Sequence, residues 1–456
     1  MNDNTELFET APVPRAVGAL VVPTVISQLI TVVYNMADTF FIGQLGDPDQ
    51  VAAASLCMPL FMLLTGFANL FGIGGSSLIS RSLGVGDRER GRRAAAFCIW
   101  TSIGVTLLYS CAIFFLRGAV LPAVGADADT FGFCYRYAFW TVCIGGLPTV
   151  MSAELAHLVR SEGHSRQASF GVAMGGVLNI ALDPLFIWVF RLEIAGAAIA
   201  TMLSNLAATV YYLILLYRNR GTTVISFDPR YYSLADRIPS EVLLVGLPSS
   251  LMNLMGVCSN VTLNRLISSY CNEAVAGIGI AKKIDMLAFA IATGMSQGAL
   301  PLIAYNYSAK NYKRMRSALK VTFLMSLSVA VVGAVLLFTC AGPVVRSFID
   351  DPLTVQYGRY FQRVICITGP CISVTMIVIT TFQAAGKKVQ PLILSILRKG
   401  GLDIPFMFLL NRLRGLDGIV WATPICDCCA MLTSLALFLP FWRSLRQETS
   451  ELPTEV

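Results

Sequence analysis

Charge is scarce in this chain. Only 13% of its 456 residues are Asp, Glu, Lys or Arg, while 55% are hydrophobic and mean hydropathy is +0.67. A soluble globular chain carries roughly 25% charged residues, so so little charge cannot cover a water-facing surface. Histidine is nearly missing, with only His157 and His164, which argues against a histidine-rich metal site. No Walker motif is present, which removes direct drive by ATP. Gly72-Ile73-Gly74-Gly75-Ser76-Ser77 is glycine-rich but lacks a dinucleotide fingerprint. It lies inside an apolar run, where small residues let helices approach. Clustered acids and histidines are missing from the polar loops, so a membrane enzyme is disfavoured.

The apolar residues come in blocks long enough to cross roughly 30 Å of hydrocarbon, which takes about 20 helical residues. Lipid gives exposed backbone no hydrogen-bond partner, so such blocks are helices or a closed barrel. Barrel strands would alternate over about 10 residues. These runs are continuous, and the reading is an all-α polytopic membrane protein. Twelve spans are expected near 15–42, 51–82, 94–116, 134–159, 167–190, 194–217, 240–269, 275–306, 317–341, 357–384, 390–411 and 415–441. The first is too long for a signal peptide and reads as a retained span. Thirteen cysteines lie mostly in the apolar runs and read as packing residues rather than disulfides. That includes Cys426, Cys428 and Cys429.

The longest central connection, 218–237, divides the spans into two sets of six, and both repeat one pattern at an offset near 222 to 225 residues. Pro23 answers Pro248. Gly84, Asp87 and Arg90 answer Ser308, Asn311 and Arg314. Tyr137, Gly146 and Gly163 answer Tyr360, Gly369 and Gly386, and Gly196 and Thr201 answer Gly418 and Thr423. Six spans per half make this a parallel repeat. The expected divisions are a tail at 1–14, an N-lobe at 15–218, a linker at 219–239, a C-lobe at 240–441 and a tail at 442–456.

The net charge of +7 does not indicate nucleic acid, because the basic residues concentrate in alternate short loops. Arg88, Arg90, Arg92 and Arg93 follow the second span, and Lys310, Lys313, Arg314 and Arg316 the eighth. The other loops carry Asp47, Asp49, Asp127, Asp129 and Glu273. By the positive-inside rule both termini are cytoplasmic.

Ionisable groups inside hydrocarbon cost about 2.5–3.5 kcal/mol or more at a span's centre, so each needs a reason. Asp38 and Asn35 share a face of the first span. Asp183 and Asn179 share a face of the fifth, and Thr201 stands at similar depth in the sixth. Together they could hold a proton, or a sodium ion through oxygen ligands. The competing reading is a local one, in which Asp183 merely satisfies the backbone break at Pro184. Lys282, Lys283 and Asp285 lie in the eighth span, with Asp285 placed to neutralise Lys282 or to face water. Arg398 and Lys399 interrupt the eleventh, where an ion pair with Asp403 is the plainer reading. Glu154 in the fourth could meet water or Arg160, and Asp427 in the twelfth is left without a role. Met58, Met62, Met255 and Met286 could line an adaptable cavity, though helix packing explains them as well.

In these residues the chain resembles the multidrug and toxic compound extrusion (MATE) transporters, their MepA-like bacterial group above all. The resemblance rests on Tyr34-Asn35-Met36-Ala37-Asp38-Thr39-Phe40-Phe41-Ile42-Gly43-Gln44-Leu45-Gly46 and Leu178-Asn179-Ile180-Ala181-Leu182-Asp183-Pro184. Gly196-Ala197-Ala198-Ile199-Ala200-Thr201, Val159-Arg160-Ser161-Glu162-Gly163 and the stretch from Gly298 to Asn306 add to it. It implies two six-helix lobes in a V-shaped fold that alternates between faces. It implies export of varied, often cationic, small-molecule drugs in exchange for H+ or Na+. The chain would then be a monomer among lipids in the bacterial inner membrane, with no cofactor beyond the coupling ion and no nucleic-acid partner. It further implies a cation site at Asp38, Asn179, Asp183 and Thr201. The NorM-like branch places acids in the seventh and tenth spans, but none stands at 243–269 or 360–383, so a second cation site of that kind is not expected. Gly298-Ala299 stands before Leu300-Pro301 where many relatives have Gln-Pro. A lipid-linked oligosaccharide flippase is the alternative, with Lys282, Lys283, Arg398 and Lys399 meeting a pyrophosphate.

Overall fold

The computed structural model describes residues 3–349 and 351–451. Among them are helices and no strand. Twelve long segments follow one another: Val13–Gly43, Pro48–Gly84, Arg88–Phe115, the bent pair Phe131–Ile144 and Gly146–Ser161, Ser165–Val189, and Glu193–Arg218. The second six are Ile238–Ser268, Asn272–Ser308, Tyr312–Thr339, the bent pair Pro352–Cys366 and Gly369–Ala384, Val389–Ile396 continuing to Asp403–Arg414, and Leu416–Glu451. They are called the first to twelfth segments below. Eight are long and apolar enough to cross a bilayer, or ten if each bent pair is one span. The remaining two, the eighth and eleventh, are those that the sequence shows carrying Lys282, Lys283 and Asp285, and Arg398, Lys399 and Asp403.

The internal repeat appears as shared local geometry. The two bends, of 48° and 41°, stand at Gly146 and Gly369, which the sequence pairs. The third and ninth segments start with matching caps: the Asp87 carboxylate accepts from the Arg90 N–H at 2.9 Å, and the Asn311 amide oxygen from the Arg314 N–H at 3.1 Å. Each cap satisfies a backbone donor that the first turn leaves open. Gly163 and Gly386 both adopt positive φ, +89° and +69°, where an L side chain is strained. The repeat also reaches elements not read from the sequence. The short helices Arg117–Ala123 and Ala341–Arg346 follow the third and ninth segments.

Packing divides the chain into two units. One holds residues 26–250. The other joins the residues up to Val25 with those from Leu251 onward. The chain therefore changes unit within its first and seventh segments, two residues after Pro23 and Pro248, where each helix lacks one backbone donor.

Within the first of these units, Arg81 at the end of the second segment and Arg90 at the start of the third hold the start of the seventh. Glu241 accepts from Arg81 at 3.1 Å and from Arg90 at 2.9 Å. The central connection is tied to the same unit. Glu162 accepts from the Val224 N–H at 2.6 Å and the Thr223 hydroxyl at 2.7 Å. In the second unit, the N-terminal stretch expected to be a tail forms a helix, Asp3–Glu9. Phe8 is buried and stacks on Tyr305 at 5.0 Å. Arg314, the repeat partner of Arg90, donates to the carbonyls of Leu7, Phe8 and Ala11. The far ends of both expected tails, 1–2 and 452–456, lie outside the described residues.

Glycine spacing decides how closely the helices meet. A Cβ on Gly74 would lie 2.1 Å from the Val242 carbonyl oxygen, whereas one on Gly104 would meet nothing within 4 Å. Backbone cannot yield as a side-chain tip can. Gly74→Ala should therefore lower the thermal midpoint of the detergent-purified protein, by overpacking worth about 1–3 kcal/mol. Gly104→Ala, in a helix interior, should hold or raise it by up to about 1 kcal/mol. Equal midpoints for the two variants would contradict this packing.

Candidate functional site

The site lies in the unit 26–250 and begins with Pro184. Having no N–H, it leaves the Ile180 carbonyl without its helical donor. The next turn widens into a π-helical stretch, Leu185–Val189, a distortion common at functional positions. Asp183 stands directly before this break. Two turns earlier, a Cβ on Gly176 would meet Ile30 at 2.9 Å and Tyr34 at 3.0 Å. The fifth segment can thus lie flush against the first, and it carries Asn179 toward Tyr34.

The first and fifth segments bring their acids together. Asp38 and Asp183 are near enough for their charges to act on each other, and both act on Tyr137. Asp183 is fully buried, and neither of its carboxyl oxygens has a hydrogen-bond partner among the described residues. One oxygen of Asp38 is likewise buried and unpartnered, as is the amide oxygen of Asn179. The Asn179 amide donates to the Thr201 hydroxyl at 3.3 Å. Four buried oxygens thus lack a donor on two neighbouring helices. Asn35 is exposed, and its side chain makes no hydrogen bond among the described residues.

Below these oxygens a cavity of ≈ 220 Å³ opens inside the unit. Tyr34, Asn179 and Thr201 line its walls together with Gln28, Asn69 and Asn205. Its polar side is organised: Asn205 donates to Thr149 at 3.1 Å and accepts from Ser152 at 3.2 Å. His157, Arg160 and Tyr212 also line it. Sequence reasoning left Tyr34, Asn205 and Thr149 without a role. Tyr34 was within reach, because it precedes Asp38 by one helical turn.

The remaining charged residues distribute unevenly. Glu154 is fully buried with both oxygens unpartnered, and it does not line the cavity. Of its two readings, water or Arg160, the contact with Arg160 is not formed; Arg160 instead reaches His157 at 3.4 Å. The reason is helical phase: Ala153, Ala156, His157 and Arg160 face the cavity, and Glu154 faces away. In the other unit Lys283 is exposed. Lys282 and Asp285 form no ion pair with each other or with any other described residue. Arg398 pairs with Asp427 at 2.8 Å in full burial, and Lys399 lies 4.0 Å from Asp403. The acid expected beside Arg398 and Lys399 is thus present, but Arg398 takes a different one. Among the described residues no group of His, Cys, Asp and Glu could hold a metal ion by itself.

Three comparisons bear on this arrangement. The family model MatE matches residues 23–185 and again 248–409, so the second block begins one repeat length after the first. The multidrug export protein MepA of Staphylococcus saprophyticus is 30% identical over 433 residues, covering 95% of each chain. MepA of Staphylococcus aureus strain N315 is 29% identical over 446 residues, covering 98% of each. Among solved structures, the outward-facing form of a multidrug resistance MATE family transporter superposes with a TM-score of 0.91. It is 23% identical and covers 98% of this chain and 99% of that one. A MATE in a bent conformation superposes at 0.87.

A buried carboxylate without a hydrogen bond costs about 1–3 kcal/mol or more. Asp183→Asn keeps the shape and removes the charge. It should raise the thermal midpoint of the purified protein in sodium-free buffer at alkaline pH, where the carboxylate carries its full charge. A lower midpoint would mean that Asp183 has a fixed partner.

Proposed function

The chain belongs to the MatE family, and from that premise we propose that it is a secondary active multidrug exporter. It moves amphipathic, cationic small molecules outward in exchange for a proton or a sodium ion taken up at Asp38, Asp183, Asn179 and Thr201. It is a transporter rather than an enzyme. The observation that carries the reading is the set of unsatisfied oxygens on the first and fifth segments. A lone carboxylate in a low-dielectric interior is a costly state, and a monovalent cation relieves it. The carboxyl group can take a proton. The Asn179 and Thr201 oxygens can complete a shell around sodium.

Coupling requires that the ion bind one facing state better than the other, because a ligand with equal affinity for both shifts nothing. A charge moved through 100 mV releases about 2.3 kcal/mol. A driving force of roughly 150 mV per ion would sustain about a 300-fold gradient of a neutral solute. The cavity beneath the acids, lined by amides, hydroxyls and apolar side chains, supports a place for substrate next to the coupling site. The names of the curated relatives, multidrug export proteins, support drugs as the cargo and do not favour the flippase.

The finer readings belong to this proposal. The protein is a monomer in the bacterial inner membrane, among lipids, with both termini cytoplasmic. Residues 15–218 form the N-lobe, 219–239 the linker and 240–441 the C-lobe, with tails at 1–14 and 442–456.

Asp38→Asn and Asp183→Asn should each abolish resistance to cationic dyes and drugs in cells while membrane expression stays intact. Vesicle efflux with the pH and sodium gradients imposed separately identifies the coupling ion. Unaltered efflux in both variants would overturn the site.

A further inference from the structure

The unit containing Leu251 onward carries a second buried charge cluster that the cation site does not use. Lys282 and Asp285 come from the eighth segment. Arg398 and Lys399 come from a π-helical stretch, Leu397–Gly401, Asp403 from the turn after it, and Asp427 from the twelfth. Lys282 lies within electrostatic reach of Asp285, Lys399, Asp403 and Asp427. Three basic and three acidic groups thus share one region, and their charges sum to zero.

Only part of this set is closed. Arg398 is locked by Asp427, and its guanidinium lies 5.5 Å over the Phe289 ring, with Met252 sulfur 3.9 Å from Nη1. Asp403 accepts from the Ser259 hydroxyl and lies 4.0 Å from Lys399. The rest is open. Asp403, 1% exposed, and Asp427, 2% exposed, each leave one carboxyl oxygen buried and unpartnered. Lys282 and Asp285 are half-buried and have no hydrogen bond or ion pair among the described residues. They lie three residues apart on one helix face, with Phe289 a turn further along it. An unpaired ammonium on a spanning helix does not face lipid, where its cost is highest.

The balance of charge decides the ligand. A bare cation would gain from the acids and be repelled by Lys282, Lys399 and Arg398. A bare anion meets the reverse. A molecule carrying both signs, held apart by a few bonds, satisfies each open group and leaves the region neutral. Its apolar part would find the aromatic and methionine wall of Phe289, Met252 and Met255, a surface that adapts its shape. We propose that this cluster is a binding site for amphipathic zwitterions, Lys282 receiving the carboxylate and Asp285 the ammonium. The inference rests on the exporter reading for its substrate class, and it adds a specificity device built from residues the coupling site does not use.

Equilibrium binding to the purified full chain tests it without requiring transport. Three fluorescent forms of one molecule serve: Nε-dansyl-lysine as the zwitterion, its methyl ester as the cation and its Nα-acetyl derivative as the anion. The zwitterion should bind at least about tenfold more tightly than either, since a hydrogen bond to a charged group is worth that much. Lys282→Gln should erase the preference over the ester, and Asp285→Asn the preference over the acetyl form. Lys282→Arg, which keeps the charge, should retain it and controls for folding. Equal affinity for all three forms, or an undiminished preference in Lys282→Gln at an unchanged thermal midpoint, would overturn the site. Cationic-dye efflux in vesicles separates the two readings. Efflux with no zwitterion preference sinks this inference alone, and absence of efflux sinks the exporter reading.

Discussion

Hydrocarbon gives a polar group nothing to bond to, and the chain is shaped by that fact. Its backbone closes most of its hydrogen bonds inside helices, and most of its few charges sit at loops or in clusters. Glu154 departs from this, and so does Asp183. It is fully buried with both carboxyl oxygens unpartnered, and the acid nearest it electrostatically, Asp38, carries the same sign. No ion pair among the described residues supplies the missing positive charge. The structure around the acids is built to hold this deficit in place. Gly176 admits the first segment, Pro184 opens the helix after Asp183, and Asn179 is oriented by Thr201.

Much of the fold could be read from the chain because its rules are local. Apolar run length locates the segments, and Gly146 and Gly369 mark their bends. Asp87 and Asn311 announce the helix starts they cap. The repeat was legible for the same reason, since caps and positive-φ turns are properties of a few adjacent residues. The acids on the first and fifth segments were legible because charge in hydrocarbon is expensive wherever it falls.

Side-chain pairing was much less legible. Lys282 and Asp285 have helical spacing for a pair and do not form one. Arg398 passes over Asp403, five residues away, for Asp427 on another helix. Glu154 and Arg160 share a helix but face different sides of it. Each outcome depends on how a helix is rotated against its neighbours, and rotation is settled by packing across long sequence separations. The close approach of Gly74 to Val242 is such a contact, joining residues far apart in the chain. The docking of Phe8 on Tyr305 escaped the sequence for the same reason. A polar acidic stretch of fourteen residues gives no sign that one phenylalanine in it will anchor to a tyrosine nearly three hundred residues later.

The two halves of the repeat also show how one scaffold takes two electrostatic roles. Both the fifth and eleventh segments contain a π-helical turn near an acid and a proline: Asp183-Pro184 with Leu185–Val189, and Leu397–Gly401 with Asp403 and Pro405. In the first half the acids around that distortion outnumber the bases, so the region has an unmet demand for positive charge. In the second half Arg398 and Lys399 are carried by the distorted turn itself, and Lys282 stands opposite, so the demand is met internally. On the proposed reading, a small mobile cation would be drawn to the first arrangement and would have no net reason to enter the second. The second still holds unpaired donors and acceptors, and a neutral set of fixed charges discriminates by where charges lie on a ligand rather than by how many it has. On the two proposals, the cation site and the charge-pattern site would stand on separate copies of one fold, each set by its own local residues.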